Sequence, residues 1–391
     1  MPSTELPPTA LPPTVPPTVR PTSPICRSCR ATDGEIVLDL GAQPSSELFP
    51  KVSEAGRDPL FPLRMWLCAD CGLAQLADDA DVPEELMGQE PAALLAQRQD
   101  AVRELVAACV LPYGGTAAEF PSPHGGTWLG LLREHRFAAL AGTRTPADVV
   151  VDGCFGLMHE PDQDAALRAR LAAVRPGGRL VVQFHSLHAI VERSQWNAVR
   201  LGHYAYYSTP AMIGMLERGG FTVTSAHRFP LYGGTVVLTA GRTAERPIVD
   251  PASIDAVVRP ELDAGVLTAD GVGPLQASVS RTADDLRALL VEERAAGRRV
   301  YGYAAASRAV SLLRLAGLDS SLLAGIADAS PAKQDRRMPG TDIPIITLDE
   351  LAAAAPDRVL VFVSEVLAEA RAALPEVEAA GGVWTDAGGG R

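Results

Sequence analysis

Runs of basic residues are missing from this chain. Its 35 Lys and Arg stand against 47 Asp and Glu, a formal net charge of -12, and no cluster of cations is available to neutralise a phosphate backbone. Nucleic acid and anionic membrane surfaces are therefore not expected partners. Also missing is any apolar run near the roughly 20 residues that a membrane helix needs. The first residues have neither the basic start nor the apolar core of an export signal. The expected location is the cytoplasm, where thiols stay reduced and a cysteine is ordinarily buried or bound to metal. Aromatic residues are few, at 5%, but 47% of the 391 residues are hydrophobic, enough for two or three packed domains.

What is present begins with a tail. Residues 1–24 hold nine prolines among Thr and Ser, which fix φ and remove amide donors, so an extended segment is expected. From Ile25 to about Leu76 the chain is loop-rich, with short apolar pieces and too little core to fold without a staple. Cys26-x-x-Cys29 and Cys68-x-x-Cys71 supply one. A two-residue gap lets both sulfurs of a pair turn toward one ion, and four thiolates close a tetrahedral zinc site with no open position, hence a structural metal. Free or disulfide-linked thiols are the alternative. Cys109 and Cys154 sit in apolar surroundings and read as plain core residues.

Helical spacing over residues 94–110 predicts a connecting helix. A first α/β module then follows: a strand over 147–155, a helix over 162–174 closed by Pro176-Gly177-Gly178, and strands over 178–184, 221–226 and 234–240. A long helix over 281–297 leads into a second module. There RVYGYAAASRAVSLLRLAG, LLAGIADAS and RVLVFVSEVLAEARAAL alternate strand and helix, which implies parallel strands with helical crossovers.

The order of parts resembles a known family, the zinc-containing C-methyltransferases that branch TDP-linked ketodeoxysugars in antibiotic pathways. At the front the likeness rests on ICRSC, LDLGAQPSSELF and PLRMWLCADCGLAQL. In the middle it rests on GLMHEPD, LGHYAYYS and LYGGT, and at the back on GYAAASRAVSLL, ADASPAKQDRRMPGTDIPIITLDEL and VLVFV. The resemblance implies an α/β chain of four parts: a disordered tail (1–24), a small zinc-binding domain (25–80), a shortened, degenerate Rossmann-like methyltransferase domain (81–245) and a doubly wound, Rossmann-like nucleotide-sugar-binding domain (246–391). It also implies a substrate class, TDP-linked ketodeoxysugars, and a chemistry that begins with a base enolising the ketone.

The methyl-donor half of the site departs from this pattern. A dinucleotide-type turn needs a strand, a glycine-rich loop and an acidic residue about 20 positions on for the ribose. Here Pro121 and Pro123 occupy the turn, the preceding AAEF is a weak strand, and only Gly125 and Gly126 remain as cofactor-binding candidates. Between Gly126 and Asp148 the chain is too short for a helix, second strand, second helix and third strand, and it carries one acid, Glu134. No tight binding of S-adenosylmethionine is expected.

The base half is kept in part. In LGHYAYYS, His203 matches the family's general base, while Arg200, Leu201 and Gly202 replace the residues before it and Asn197 stands where an Asp is usual. His159 matches the His of the family's His-x-x-Asp stretch and can face the sugar as acid or base, or merely enter a helix capped by Asp162. Tyr206 completes the catalytic candidates. Tyr204, Tyr207, His185 and His188 are candidates to line the substrate, as are Tyr303, Arg308, Asp328, Lys333 and Arg337 in the last module. There a helix opening after a strand presents amides to a diphosphate. The first functional expectation is an epimerase- or isomerase-like enzyme on a TDP-ketodeoxysugar, working through His203 without S-adenosylmethionine. The alternatives are a working C-methyltransferase and a non-catalytic protein that binds a nucleotide sugar or assists another enzyme.

Overall fold

Three sheets, each with its own pattern of burial, account for the chain. The computed structural model describes residues 24–54, 58–80, 82–85, 92–111 and 114–387, and all but the last residue of the expected tail lies outside them. The first sheet is antiparallel. Strands β1 (Gly34–Pro44), β2 (Leu60–Cys68) and β3 (Ala74–Leu76) turn Leu38, Leu63 and Met65 into a core, and irregularities in the β1–β2 register, at Ile36/Leu38 and Asp39/Ala42, bend the long hairpin.

The second sheet follows helix α1 (Ala92–Ala107). It takes up β4 (Gly115–Glu119), α2 (Leu129–Glu134), β5 (Phe137–Ala139), β6 (Ala147–Asp152), α3 (Gln163–Ala172) and β7 (Val174–His185). After α4 (Leu187–Glu192), the short strand β8 (Ala205–Tyr206) returns to the first sheet beside β3. Helix α5 (Thr209–Arg218) precedes β9 (Phe221–Phe229) and β10 (Thr235–Arg242). The order is β5-β4-β6-β7-β10-β9, with β5, β4, β6 and β7 parallel and β10 antiparallel to both its neighbours. Every residue of β6 is buried, as a strand covered on both faces requires.

Several expectations need correction here. The stretch before the turn is a real strand: Ala117 and Ala118 of β4 are fully buried, and the strand pairs with β5 on one side and β6 on the other. The helix and second strand expected to be lost are present as α2, within the helical run WLGLLREHRF, and β5, which is too short for its periodicity to register. The shortening is real beyond them, since residues 140–146 run directly into β6. Pro176 to Gly178 do not end a helix but form a bulge inside β7, where the register against β6 jumps and Gly177 takes φ +75°. Cys154 is buried as expected, but Cys109 is exposed, because the chain leaves α1 in a left-handed turn with φ 53° at that residue.

Helices α6 (Pro251–Asp263), α7 (Ala269–Val272) and α8 (Pro274–Ala295) lead onward, α8 starting earlier than its apolar spacing suggests. Helix α6 packs on β9, and its buried Glu261 accepts hydrogen bonds from Ser186 Oγ at 2.7 Å and Thr209 N at 2.5 Å. The last sheet is built from β11 (Val300–Tyr303), α9 (Ser307–Leu315), β12 (Ile326–Ala327), β13 (Ile345–Ile346), α10 (Leu348–Ala354), β14 (Arg358–Val361), α11 (Leu367–Ala373), α12 (Pro375–Ala379) and β15 (Val383–Asp386). Its order is β13-β12-β11-β14-β15 and its pairs are parallel, the doubly wound arrangement the alternation called for. Among the described residues no helix is long and apolar enough to cross a membrane.

Candidate functional site

The four cysteines of the two knuckles converge. Their sulfurs all lie within 4.8 Å of one another, Cys26 Sγ to Cys71 Sγ at 3.5 Å and Cys29 Sγ to Cys68 Sγ at 3.6 Å. A Zn–S bond of roughly 2.3 Å places tetrahedral sulfurs about 3.8 Å apart, so the donor set fits zinc in size and chemistry. Burial lifts the Cys68 thiol to about 11. A divalent ion reverses that preference for the neutral thiol and fastens the ends of β2 and the preceding turn to one point.

A second convergence occurs where the three sheets meet. A cleft of about 240 Å³ is lined by His124 and Gly125 from the loop after β4, His159 from the turn after β6, and His185 at the end of β7. Arg200, His203 and Tyr206 come from the approach to β8, while Ser307, Arg308 and Lys333 come from the last module. The rings of His159 and His203 stand edge to face with centroids 4.6 Å apart, and His124 sits 4.9 Å from His159 at the exposed rim.

Each ring is held by chemistry that can be read atom by atom. Nδ1 of His159 lies 3.1 Å from the carbonyl oxygen of Gly202, and its Nε2 is buried without a partner. Nε2 of His203 accepts from Arg200 Nε at 2.9 Å, and its Nδ1 is buried without a partner. Arg200 in turn is fastened to Ser307 Oγ and lies 3.4 Å from Glu47. Burial, then the Arg200 guanidinium and neighbouring imidazoles, pushes His203 well below the ordinary histidine value. Burial brings His159 and His185 down to about 3. All three rings are neutral at physiological pH. Tyr206 donates to the carbonyl of Arg200, and burial pushes its hydroxyl well above the ordinary tyrosine value, so it stays a phenol.

These shifts carry a stability consequence. The unfolded chain protonates its histidines near the ordinary value of 6.5, whereas the folded chain resists until about 3. Stability from the buried neutral rings is therefore complete above that unfolded value and drains away as pH falls below it, at about 1.4 kcal/mol per pKa unit of difference. A thermal melt at about pH 5 is expected several degrees below one at about pH 7.5. A midpoint unchanged between them would contradict the neutral assignment.

One ring nitrogen each from His124, His159 and His203 also satisfies the spacing of a metal set, all within 4.8 Å. The lone pair of His203 Nε2 is nevertheless already engaged by Arg200, and the guanidiniums of Arg200 and Arg308 oppose a further cation. This cluster does not fit a metal as it stands.

The turn that would hold a methyl donor is built differently from a cofactor cradle. The chain runs from β4 to β5 on one side and returns to β6 on the other, so the ligand crevice of such a sheet lies between the carboxyl ends of β4 and β6. Trp128 bridges that gap. Its backbone N donates to Glu119 Oε1 at the end of β4 (2.8 Å), its indole Nε1 donates to Gly153 O just past β6 (2.9 Å), and its side chain is fully buried. Gly153 has no room for a Cβ, which would come within 2.2 Å of that indole. Glu119 is spent on Trp128 and on Thr127, and no acid follows β5, where Leu140-Ala141-Gly142 stand. Gly125 and Gly126 adopt φ +78° and +83°, and of the two only Gly125 lines the cleft.

Other sequence candidates are dispersed. Arg308 lies over the Tyr232 ring at 4.3 Å inside the cleft, and Lys333 reaches Ala305 O at 2.7 Å and Asp328 at 3.2 Å. Asp328 also accepts from Ala305 N at 2.9 Å, bracing the loop that opens α9. Tyr303 packs on Trp384, outside the cleft. Arg337 forms an ion pair with Asp58 at 2.7 Å and lines a different depression. Tyr207 bonds Gln163 within the core beside Phe184, Tyr204 lies under Arg27, and His188 is buried in α4. Nothing around His124 in the sequence marks it, and Tyr232 and Ser307 lie within LYGGT and GYAAASRAVSLL without being singled out there; only the three-dimensional meeting of distant loops brings them to the cleft.

Two family descriptions match the chain: "C-methyltransferase C-terminal domain" over residues 230–386 and "Putative zinc binding domain" over residues 26–86. The C-methyltransferase NovU of Streptomyces niveus is 26% identical over 380 residues, which cover 86% of this chain and 89% of that one. Among solved structures, the magnesium protoporphyrin IX methyltransferase of Synechocystis PCC 6803 with bound SAH aligns over 40% of this chain and 89% of its own, with 17% identity and a TM-score of 0.27. The N-methyltransferase NodS of Bradyrhizobium japonicum WM9 covers 39% of this chain and 99% of its own, at 12% identity and a TM-score of 0.28. Overlaps of that depth decide nothing about cofactor or substrate.

Proposed function

Because the chain belongs to the zinc-containing sugar C-methyltransferases, we propose that it enolises a TDP-linked ketodeoxysugar in the histidine cleft and returns a proton where a methyltransferase would deliver a methyl group. The observation that carries this reading is Trp128, whose two hydrogen bonds span the carboxyl ends of β4 and β6 and fill the crevice an adenosyl group would need. Pro121 and Pro123 take two amide donors from the same loop, and no acid stands ready for a ribose.

What remains suits proton transfer. Two neutral imidazoles share one cavity, Arg308 and Lys333 flank it, and the amino end of α9 opens beside it without a side-chain cap, a setting that favours an anionic diphosphate. The test is proton exchange in D2O. A TDP-linked 4-keto-6-deoxyhexose incubated with the protein alone is expected to lose the NMR signal of a proton beside its ketone. Exchange that demands S-adenosylmethionine, or none at all, would overturn the reading.

Cofactor-dependent C-methyl transfer is the second reading. It is favoured by Gly125 and Gly126, whose positive φ keeps part of the turn open at the rim of the cleft. It requires Trp128 to move.

A further inference from the structure

Within the reading above, we propose that His159 is the base and His203 the hydrogen-bond donor to the oxygen that gains charge, the reverse of the roles the sequence resemblance implies. The assignment follows from what each fixed partner is able to do. A carbonyl oxygen only accepts, so the His159 nitrogen facing Gly202 O at 3.1 Å carries the ring proton. In the neutral ring the lone pair is then on Nε2, buried and without a partner. A guanidinium only donates, so the His203 nitrogen facing Arg200 Nε at 2.9 Å carries the lone pair. The proton of neutral His203 is then on Nδ1, also buried and without a partner.

One acceptor and one donor thus belong to rings that both line the cleft, their centroids 4.6 Å apart. For His203 to serve as base through Nδ1, its proton would have to sit on Nε2 and confront the Arg200 N–H, two donors with no acceptor between them. Asp162 does not raise the basicity of His159 through its own side chain, because its carboxylate caps α3 and pairs with Arg30.

The step balances without any co-reactant. Nε2 of His159 takes the proton from the carbon beside the ketone, the C–H pair becomes the new C=C bond, and the carbonyl π pair moves to oxygen. Nδ1–H of His203 hydrogen-bonds that oxygen while keeping its proton, and the nearby Arg200 guanidinium offsets the charge. The imidazolium of His159 then returns its proton to carbon. Arg200 is a positioning residue: it fixes which nitrogen of His203 bears hydrogen.

Long-range 1H–15N correlation on 15N-labelled protein at neutral pH reads both tautomers without reference to activity. Both rings are expected as Nδ1–H, and Arg200→Met is expected to release His203 to the other tautomer. A native His203 protonated on Nε2 would overturn the assignment. In the D2O exchange assay, His159→Gln is expected to lose about a thousandfold in rate, since an amide is no base. His203→Gln keeps an N–H donor and is expected to stay within about tenfold of the native rate. The opposite ranking would also overturn the assignment. Wild-type protein with no exchange would sink the proposed reaction instead, while the tautomer spectrum would still decide the hydrogen bonding. Should either variant fail to fold, that spectrum alone carries the test.

Discussion

Removing the metal from the four-cysteine cluster, by a strong chelator or by Cys68→Ser, is expected to unfold the first sheet and to silence the histidine cleft with it. Structural zinc sites of this kind bind with about 10–16 kcal/mol of apparent free energy, most of it realised as folding. That is comparable with the whole stability of about 5–15 kcal/mol typical of a native protein. The coupling to the cleft is geometric: β3 pairs with β8, Ala74 opposite Tyr206 and Gln75 opposite Ala205, immediately after His203. Gln75 Oε1 in turn accepts from the backbone N of Arg27, between the first two cysteines. Loss of the knuckles frees Gln75, then β8, then the ring positions. The measurement is circular dichroism and proton exchange on protein titrated with chelator. Full exchange in metal-free protein would separate the two sites.

Arg170→Met is expected to be the most damaging single change away from the metal. Asp152 is fully buried at the end of β6; its Oδ2 accepts from Arg170 Nε at 2.5 Å and its Oδ1 from Gly156 N at 2.8 Å. Burial raises the Asp152 carboxyl and the Arg170 charge opposes that rise, so removing the arginine strands an acid in an apolar interior. Breaking such a pair costs about 3–5 kcal/mol, readable as a shift in the urea midpoint. Replacing both partners, as Asp152→Asn with Arg170→Met, is expected to recover part of the loss. The effect reaches the cleft because Asp152 anchors the loop that carries Cys154, Phe155 and finally His159. A double variant no better than the single one would show that the anchor, not the charge, is what matters.

The strength of each local signal decides what the sequence makes legible. Two Cys-x-x-Cys pairs announce a tetrahedral site because the ligand spacing is itself the chemistry. The parallel sheet of the last module shows because β11, α9, β14 and the helices after it alternate cleanly. Strands β5, β8 and β13, two or three residues long, are too brief for a period of two to register, and each extends the sheet it joins. Cys109 misleads because its apolar neighbours belong to α1 while the residue itself turns outward. Arg337 and Tyr207 show the opposite failure. Residue type suggested phosphate and sugar contacts, but an ion pair with Asp58, 279 positions away, and a hydrogen bond to Gln163 claim them. The cleft itself depends on His124, Arg200 and Trp128, whose meaning lies in atoms brought from elsewhere in the chain.

One mass spectrum tests the central claim. The TDP-linked ketosugar is incubated with the protein in D2O with S-adenosylmethionine present in excess, and the nucleotide sugar is recovered and weighed. A neutral imidazole pair beside a crevice closed by Trp128 predicts an unmethylated nucleotide sugar in which deuterium has replaced a carbon-bound hydrogen, about one mass unit heavier for each position exchanged. A product heavier by a methylene group would contradict it.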